Sequence, residues 1–235
     1  MRMACLRPVV VASAILSIGV ALNRSSAQVP RDNRSDPIQR VSSLAALAAA
    51  SESEKQLARA MNWGFVPISP GVVTGRPAPV LPLLGPGTPT TPEGHLRLFA
   101  CGSDAILIGH LVHHPKAILN ERGTDLVTVF EIDVDRWVWP VRDEARVVVG
   151  RPGGRVLVGS EEYFSAPPTG MDTYPSLGQS ALLLLKKLGA TKVYLFGYDV
   201  LPIDGSKLEE VDGVFEALLA AIRDSAQRCA KGVAR

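Results

Sequence analysis

Residues 126–139 read LVTVFEIDVDRWVW, and their alternation decides the fold. Leu126, Thr128, Phe130, Ile132 and Val134 fall on one side, and Glu131, Asp133 and Asp135 on the other. A period of two belongs to a β-strand with one face on a core and one in water. Trp137 and Trp139 continue the acidic face, where carboxylates give way abruptly to indoles.

Strand signals extend in both directions. Residues 105–113 (AILIGHLVH) are apolar on both faces, which marks a central strand. Residues 146–150 and 155–159 are further strands, separated by Arg151-Pro152-Gly153-Gly154, a turn or bulge where glycine permits positive φ. Residues 161–175 read as an irregular loop containing Pro167, Pro168 and Pro175. Residues 181–188 suit helix or strand, and with Gly189-Ala190-Thr191 and KVYLFGY (192–198) they favour a hairpin. A short helix is predicted over 90–101, with Thr90 or Thr91 as cap and Pro92 and Glu93 in the first turn. The chain ends in an amphipathic helix with Val211, Val214, Phe215, Leu218, Leu219 and Ile222 as its stripe. This order predicts a mainly β fold with flanking helices. Its centre is a five- to six-stranded antiparallel OB-like barrel, closed by the C-terminal helix.

The start of the chain is different. Arg2 and Arg7 precede an uncharged apolar run at 8–22 (PVVVASAILSIGVAL), and Ser25-Ser26-Ala27 supplies small residues for cleavage before Gln28. That pattern predicts a secretory signal peptide, with an uncleaved anchor as the alternative. The expected location is the periplasm or the medium, with no stable membrane span once the signal is removed. Cleavage takes away three arginines and no acid, so the net charge moves from +2 to −1. A near-neutral exported chain lacks the electrostatic footprint of a nucleic-acid binder. Cys5 leaves with the signal, and Cys101 and Cys229 remain. They either form one disulfide or stay buried as free thiols.

A polar start and one Ala-rich amphipathic helix, or two short ones, ending near Met61 are expected over 28–61, opened by Asp36 as N-cap, Pro37 and Gln39. Residues 62–92 hold eight of the 18 prolines, and such density favours extended chain. Val66, Ile68, Val72 and Val73 would be costly to leave in water, so this segment should lie along the following domain or dock a partner. The barrel domain with its helix spans 93–230, and 231–235 is a tail.

The stretches CGSDAILIGH, LVTVFEIDVDRWVW, ARVVVGRPGGRVLVGS, LGQSALLLLKK and KVYLFGY resemble a group of uncharacterised bacterial secreted proteins. That group is similar to the OB-fold barrels of netrin and tissue-inhibitor-of-metalloprotease modules. The resemblance covers about residues 100–200 and implies a barrel. The metalloprotease inhibitors act through a Cys-x-Cys at the mature N-terminus, whereas this mature chain would start Gln28-Val29-Pro30. No inhibitory role or functional residue is carried over.

His110, His113 and His114 are the metal candidates, with His95 upstream. On a strand, His113 points away from the other two, which lie about 13 Å apart at roughly 3.3 Å per residue. Two imidazoles cannot then share an ion at about 2 Å each. A bend at His113-His114-Pro115 would rescue a pair. Trp137 and Trp139, with Tyr194, Phe196 and Tyr198, form aromatic stripes that would stack a ligand if exposed and pack the core if not. Gly178-Gln179-Ser180-Ala181-Leu182 lacks the second glycine of a nucleophile elbow, and 150–154 lacks the Lys-Ser/Thr of a phosphate loop. No catalytic residue and no cofactor is assigned. The sequence predicts an exported non-catalytic module that binds a protein, glycan or envelope component. The alternative is a metal-dependent periplasmic hydrolase built on His110, His113 and His114.

Overall fold

The computed structural model describes residues 39–62, 67–74, 92–165, 177–189, 193–196, 201–202 and 205–232. The signal segment, Asp36-Pro37, residues 75–91, the prolines at 167, 168 and 175, and Tyr198 lie outside them.

Five strands close the barrel: β3 (Ala105–Leu111), β5 (Leu126–Trp139), β6 (Arg146–Pro152), β9 (Ser180–Lys187) and β10 (Val193–Phe196). Their order is β10-β6-β5-β3-β9, and β9 pairs back with β10. Four of the contacts are antiparallel; β10 runs parallel to β6. The barrel is therefore mixed, which corrects the wholly antiparallel expectation. The reason is parity: an odd number of strands cannot alternate in direction around a closed ring. The β9–β10 hairpin forms as the sequence predicts, and β4 (Lys116–Leu119) and β11 (Leu201–Pro202) extend the sheet beside β5 and β9.

A second sheet, ordered β1-β7-β8-β2, comprises β1 (Gln39–Val41), β7 (Gly154–Val158), β8 (Glu161–Ser165) and β2 (Val73–Thr74). The chain passes from one sheet to the other at Gly153, whose φ of 89° suits only glycine well. Thr128 Oγ1 donates to the Gly153 carbonyl at 2.7 Å and pins the corner. Residues 161–165, expected in a loop, are strand instead. The Gly159-Ser160 turn reverses the chain, with the first central residue at φ 61°, and β8 pairs with β7.

The N-terminal helical segment is two short pieces rather than one long helix, and it starts later than Pro37. Gln39 begins a strand, a 3₁₀ turn covers Leu44–Leu47, and α1 runs only over Glu52–Ala60. Its N-cap is Ser51: Ser51 Oγ accepts from Glu54 N at 3.2 Å, and Glu54 Oε2 accepts from Ser51 N at 3.4 Å and Ala50 N at 2.8 Å. Leu44 and Leu47 pack with Ile68, Leu126, Val156 and Tyr163 under the second sheet, so local helical spacing yields to that core. Ile68 N donates to Gly123 O and β2 pairs with β8, so residues 67–74 lie along the domain.

Odd residues of β3 and β9 (Leu107, Leu111, Leu183, Leu185) fill the barrel with Phe130, Ile132, Val149, Tyr194 and Phe196. Even residues (Ile106, Ile108, Leu182, Leu184) face α2 (Pro92–Gly102) and α3 (Gly205–Ala230) through Ala100, Leu219 and Ile222. That second layer explains why AILIGHLVH is apolar on both faces. The two helices are joined by a Cys101–Cys229 disulfide with Cα atoms 5.3 Å apart. Among the described residues no helix is long and apolar enough to cross a membrane.

Candidate functional site

Two bulges shape the barrel wall. Gly109 pairs with Val134 and Ile108 with Arg136, leaving Asp135 as an extra residue; Leu107 pairs with Trp137 and Ile106 with Trp139, leaving Val138 extra. Each bulge shifts the strand's parity by one. Gly109 lies opposite the first, where a Cβ would meet Ile132 Cγ2 at 2.7 Å and crowd the Asp133 carbonyl.

The first bulge turns Asp135 outward beside His110. His110 faces Asp133 across β5 and Ser180 across β9. His110 Nδ1 lies 2.9 Å from Asp135 Oδ1, and Ser180 Oγ donates to Asp135 Oδ2 at 2.9 Å. One strand further, Arg146 Nε donates to Asp133 Oδ1 at 2.6 Å, with Glu131 4.0 Å from its guanidinium. The Arg146 hydrogen bond, assisted by its charge and by His110 and His113, holds the Asp133 carboxyl below the usual range against a smaller effect of desolvation. The same pairing raises Arg146. His110 and Asp135 are each about one-third exposed, at 35% and 36%.

The serine hydroxyl is directed at the carboxylate rather than at the imidazole. Ser180 and His110 address the two oxygens of one carboxylate, so the imidazole is not the acceptor of the serine proton. His113 and His114 lie exposed in the turn beyond β3, and His95 sits on α2 with its ring edge-on to Phe99. Among the described residues no three His, Cys, Asp or Glu side chains come together as a ligand set.

The aromatic stripes are packed rather than displayed. Trp137 is buried inside the barrel, its Nε1 donating to Glu144 O at 2.9 Å. Tyr194 is fully buried 6.4 Å from Trp137, and its hydroxyl accepts from Arg142 at 3.0 Å. Burial, the largest influence, raises the Tyr194 phenol. Phe196 meets Phe130 edge-on at 5.1 Å. Trp139 is on the opposite side of the strand, half-buried beneath the helices. The expected single face of Trp137 and Trp139 is thus split: the first bulge turns Trp137 inward and the second returns Trp139 to the outer side.

A concave feature that sequence reading missed lies elsewhere. An open groove of about 370 Å³ runs between the 3₁₀ turn, α1 and the β4–β5 turn. Leu44, Ala45, Ala48, Ala49, Ala58 and Leu119 form its apolar lining, and Lys55, Arg59 and Glu121 stand on its rim. The β4–β5 turn is tightly held. Buried Asn120 donates to Met61 O and Thr124 Oγ1 and accepts from Thr124 N and Asp125 N, while Glu121 N donates to Ala58 O. The signal was the alanine-rich stretch 45–50, interrupted by Leu47, but a helix reading assigns those alanines to helical packing.

Neither protein-family models nor curated protein sequences match the chain.

Proposed function

We propose that the chain is an exported, non-catalytic binding module that engages a protein, a glycan or another envelope component through the outside of its barrel. One observation carries this reading. His110, Ser180 and Asp135, and beside them Arg146 and Asp133, are tied to one another on a half-exposed wall, over an interior packed with Phe130, Trp137, Tyr194 and Phe196. Such a wall offers hydrogen bonds and charge to a surface, without an enclosed site that excludes water from a reaction.

The Cys101–Cys229 bridge supports an oxidising compartment, in keeping with the apolar run at 8–22. The five-stranded closure supports the resemblance to netrin-like OB barrels, again without the inhibitors' N-terminal Cys-x-Cys. The hydrolase reading on His110, His113 and His114 has no convergent ligand set among the described residues to carry it.

The test is photo-cross-linking of the exported protein, with the reactive side chain at Glu131 on the wall, at Ala48 in the groove, or at exposed Asp224 on α3 as control. A saturable adduct from Glu131 or Ala48, absent from Asp224, is expected. Turnover of an ester, phosphoester, peptide or glycoside that His110→Ala abolishes would overturn the proposal.

A further inference from the structure

We infer that the groove between the 3₁₀ turn and α1 is a receptor for the apolar C-terminus of another polypeptide, with the terminal carboxylate held between Lys55 and Arg59. This rests on reading the chain as a binding module and names one of its surfaces and the chemistry that surface takes.

Three observations converge. The first is shape. The groove's volume of about 370 Å³ is at the lower end of the roughly 300–1,000 Å³ typical of ligand sites. It stays concave because Ala45, Ala48, Ala49 and Ala58 stop at Cβ. The second is rigidity. The far wall is fixed by the four Asn120 hydrogen bonds and by Glu121 N on Ala58 O, so little ordering is needed on binding.

The third is charge complementarity. Lys55 and Arg59 are one helical turn apart on the side of α1 that faces the groove. Arg59 Nε lies 3.8 Å from Glu121 Oε1, whereas Lys55 meets no carboxylate among the described residues. Two cations and one acid leave a net charge of about +1 at the rim, which matches a carboxylate better than a phosphate dianion. A chain terminus unites one negative charge with apolar side chains beside it. A long acyl chain would fit poorly, since an open groove of about 370 Å³ leaves much of it in water.

Fluorescent hexapeptides ending in combinations of Ala, Val and Leu, as free acids and as C-terminal amides, provide the test with the mature full-length chain. Saturable binding of at least one free acid is expected, about tenfold or more weaker for its amide and for Lys55→Gln. Ala48→Phe fills the groove and should abolish binding, while Asp224→Asn leaves it unchanged; circular dichroism of each variant confirms folding. Acid and amide binding alike, no binding by any free acid, or displacement of the peptide by decanoate at equal affinity would each overturn the inference. A cross-link from Glu131 with no peptide binding removes the groove's role and leaves the binding module standing. Hydrolysis lost in His110→Ala removes the broader reading instead.

Discussion

At the scale of single residues, two positions carry more than their size suggests. Gly109 has ordinary backbone torsions, so its identity is demanded by space: a methyl group there would press on the Asp133 carbonyl and on Ile132. Gly109→Ala should cost about 1–3 kcal/mol, as overpacking does, read by urea denaturation with unchanged m-value. Glu54 is the second. Burial raises its pKa, but the Lys116 hydrogen bond, Ala50 N–H, Lys116 charge and Ser51 together outweigh this and leave it lowered. A lowered carboxyl contributes stability above its unfolded value and loses it as pH falls through the folded value. Stability should therefore decline below about pH 4.5, the group's ordinary value, and Glu54→Gln should remove that part of the decline. Thermal melts of both proteins from pH 7 to pH 3 check this; parallel curves would exclude the Glu54 contribution. The sequence reading set the helix start at Asp36, Pro37 and Gln39 and passed over Ser51 and Glu54, although both pairs have the capping-box spacing. Local chemistry alone could not rank them. The ranking came from Val41, Leu44 and Leu47, which are drawn into the core of the second sheet.

At the scale of elements, β5 shows where pattern reading succeeds and where it stops. Its face assignments hold from Phe130 to Val134, with Phe130 and Ile132 inside and Glu131 and Asp133 outside. They fail at Trp137, which the first bulge turns inward, and the second bulge returns Trp139 to the outer side; a bulge leaves no mark in an alternating string when the extra residue is itself polar. Trp137 packs inside the barrel for that reason, Tyr194 and Phe196 on β10 are buried because they fill the same interior beside Phe130, and Glu131 and Asp133 face outward as the alternation predicts. If the bulge truly turns Trp137 inward, Trp137→Ala should destabilise by about 3–5 kcal/mol, and Glu131→Ala on the outer face by no more than about 0.5 kcal/mol. Comparable small effects at both positions would place Trp137 on the surface. The groove was illegible for a related reason. Its lining alanines come from a 3₁₀ turn, the segment after it and α1, and its far wall from a turn some 60 residues later, so no spacing rule joins them.

At the scale of the whole molecule, the barrel lies inside one covalent loop. Cys101 ends α2 just before β3, and Cys229 lies near the end of α3, 128 residues on. A closure of that length restricts the unfolded chain by about 4–5 kcal/mol in the chain-entropy model, an upper figure. The folded side is held independently by Leu219, Ile222 and Ala226 on the barrel, by the Arg136–Glu216 pair at 2.5 and 2.8 Å, and by Arg223 Nε on Val138 O at 3.1 Å. These contacts do not need the disulfide, so the native arrangement should survive its loss while the unfolding free energy drops. Cys101→Ser/Cys229→Ser protein should keep the far-ultraviolet spectrum of the barrel and unfold at lower urea. Hydrogen exchange separates the possible causes. If the bridge acts on the unfolded state, slow amides of β3, β5 and β9 and those of α3 lose protection by the same factor, because all exchange through global unfolding. Selective loss in α3 would mean instead that the disulfide holds the helix on a barrel able to stand without it.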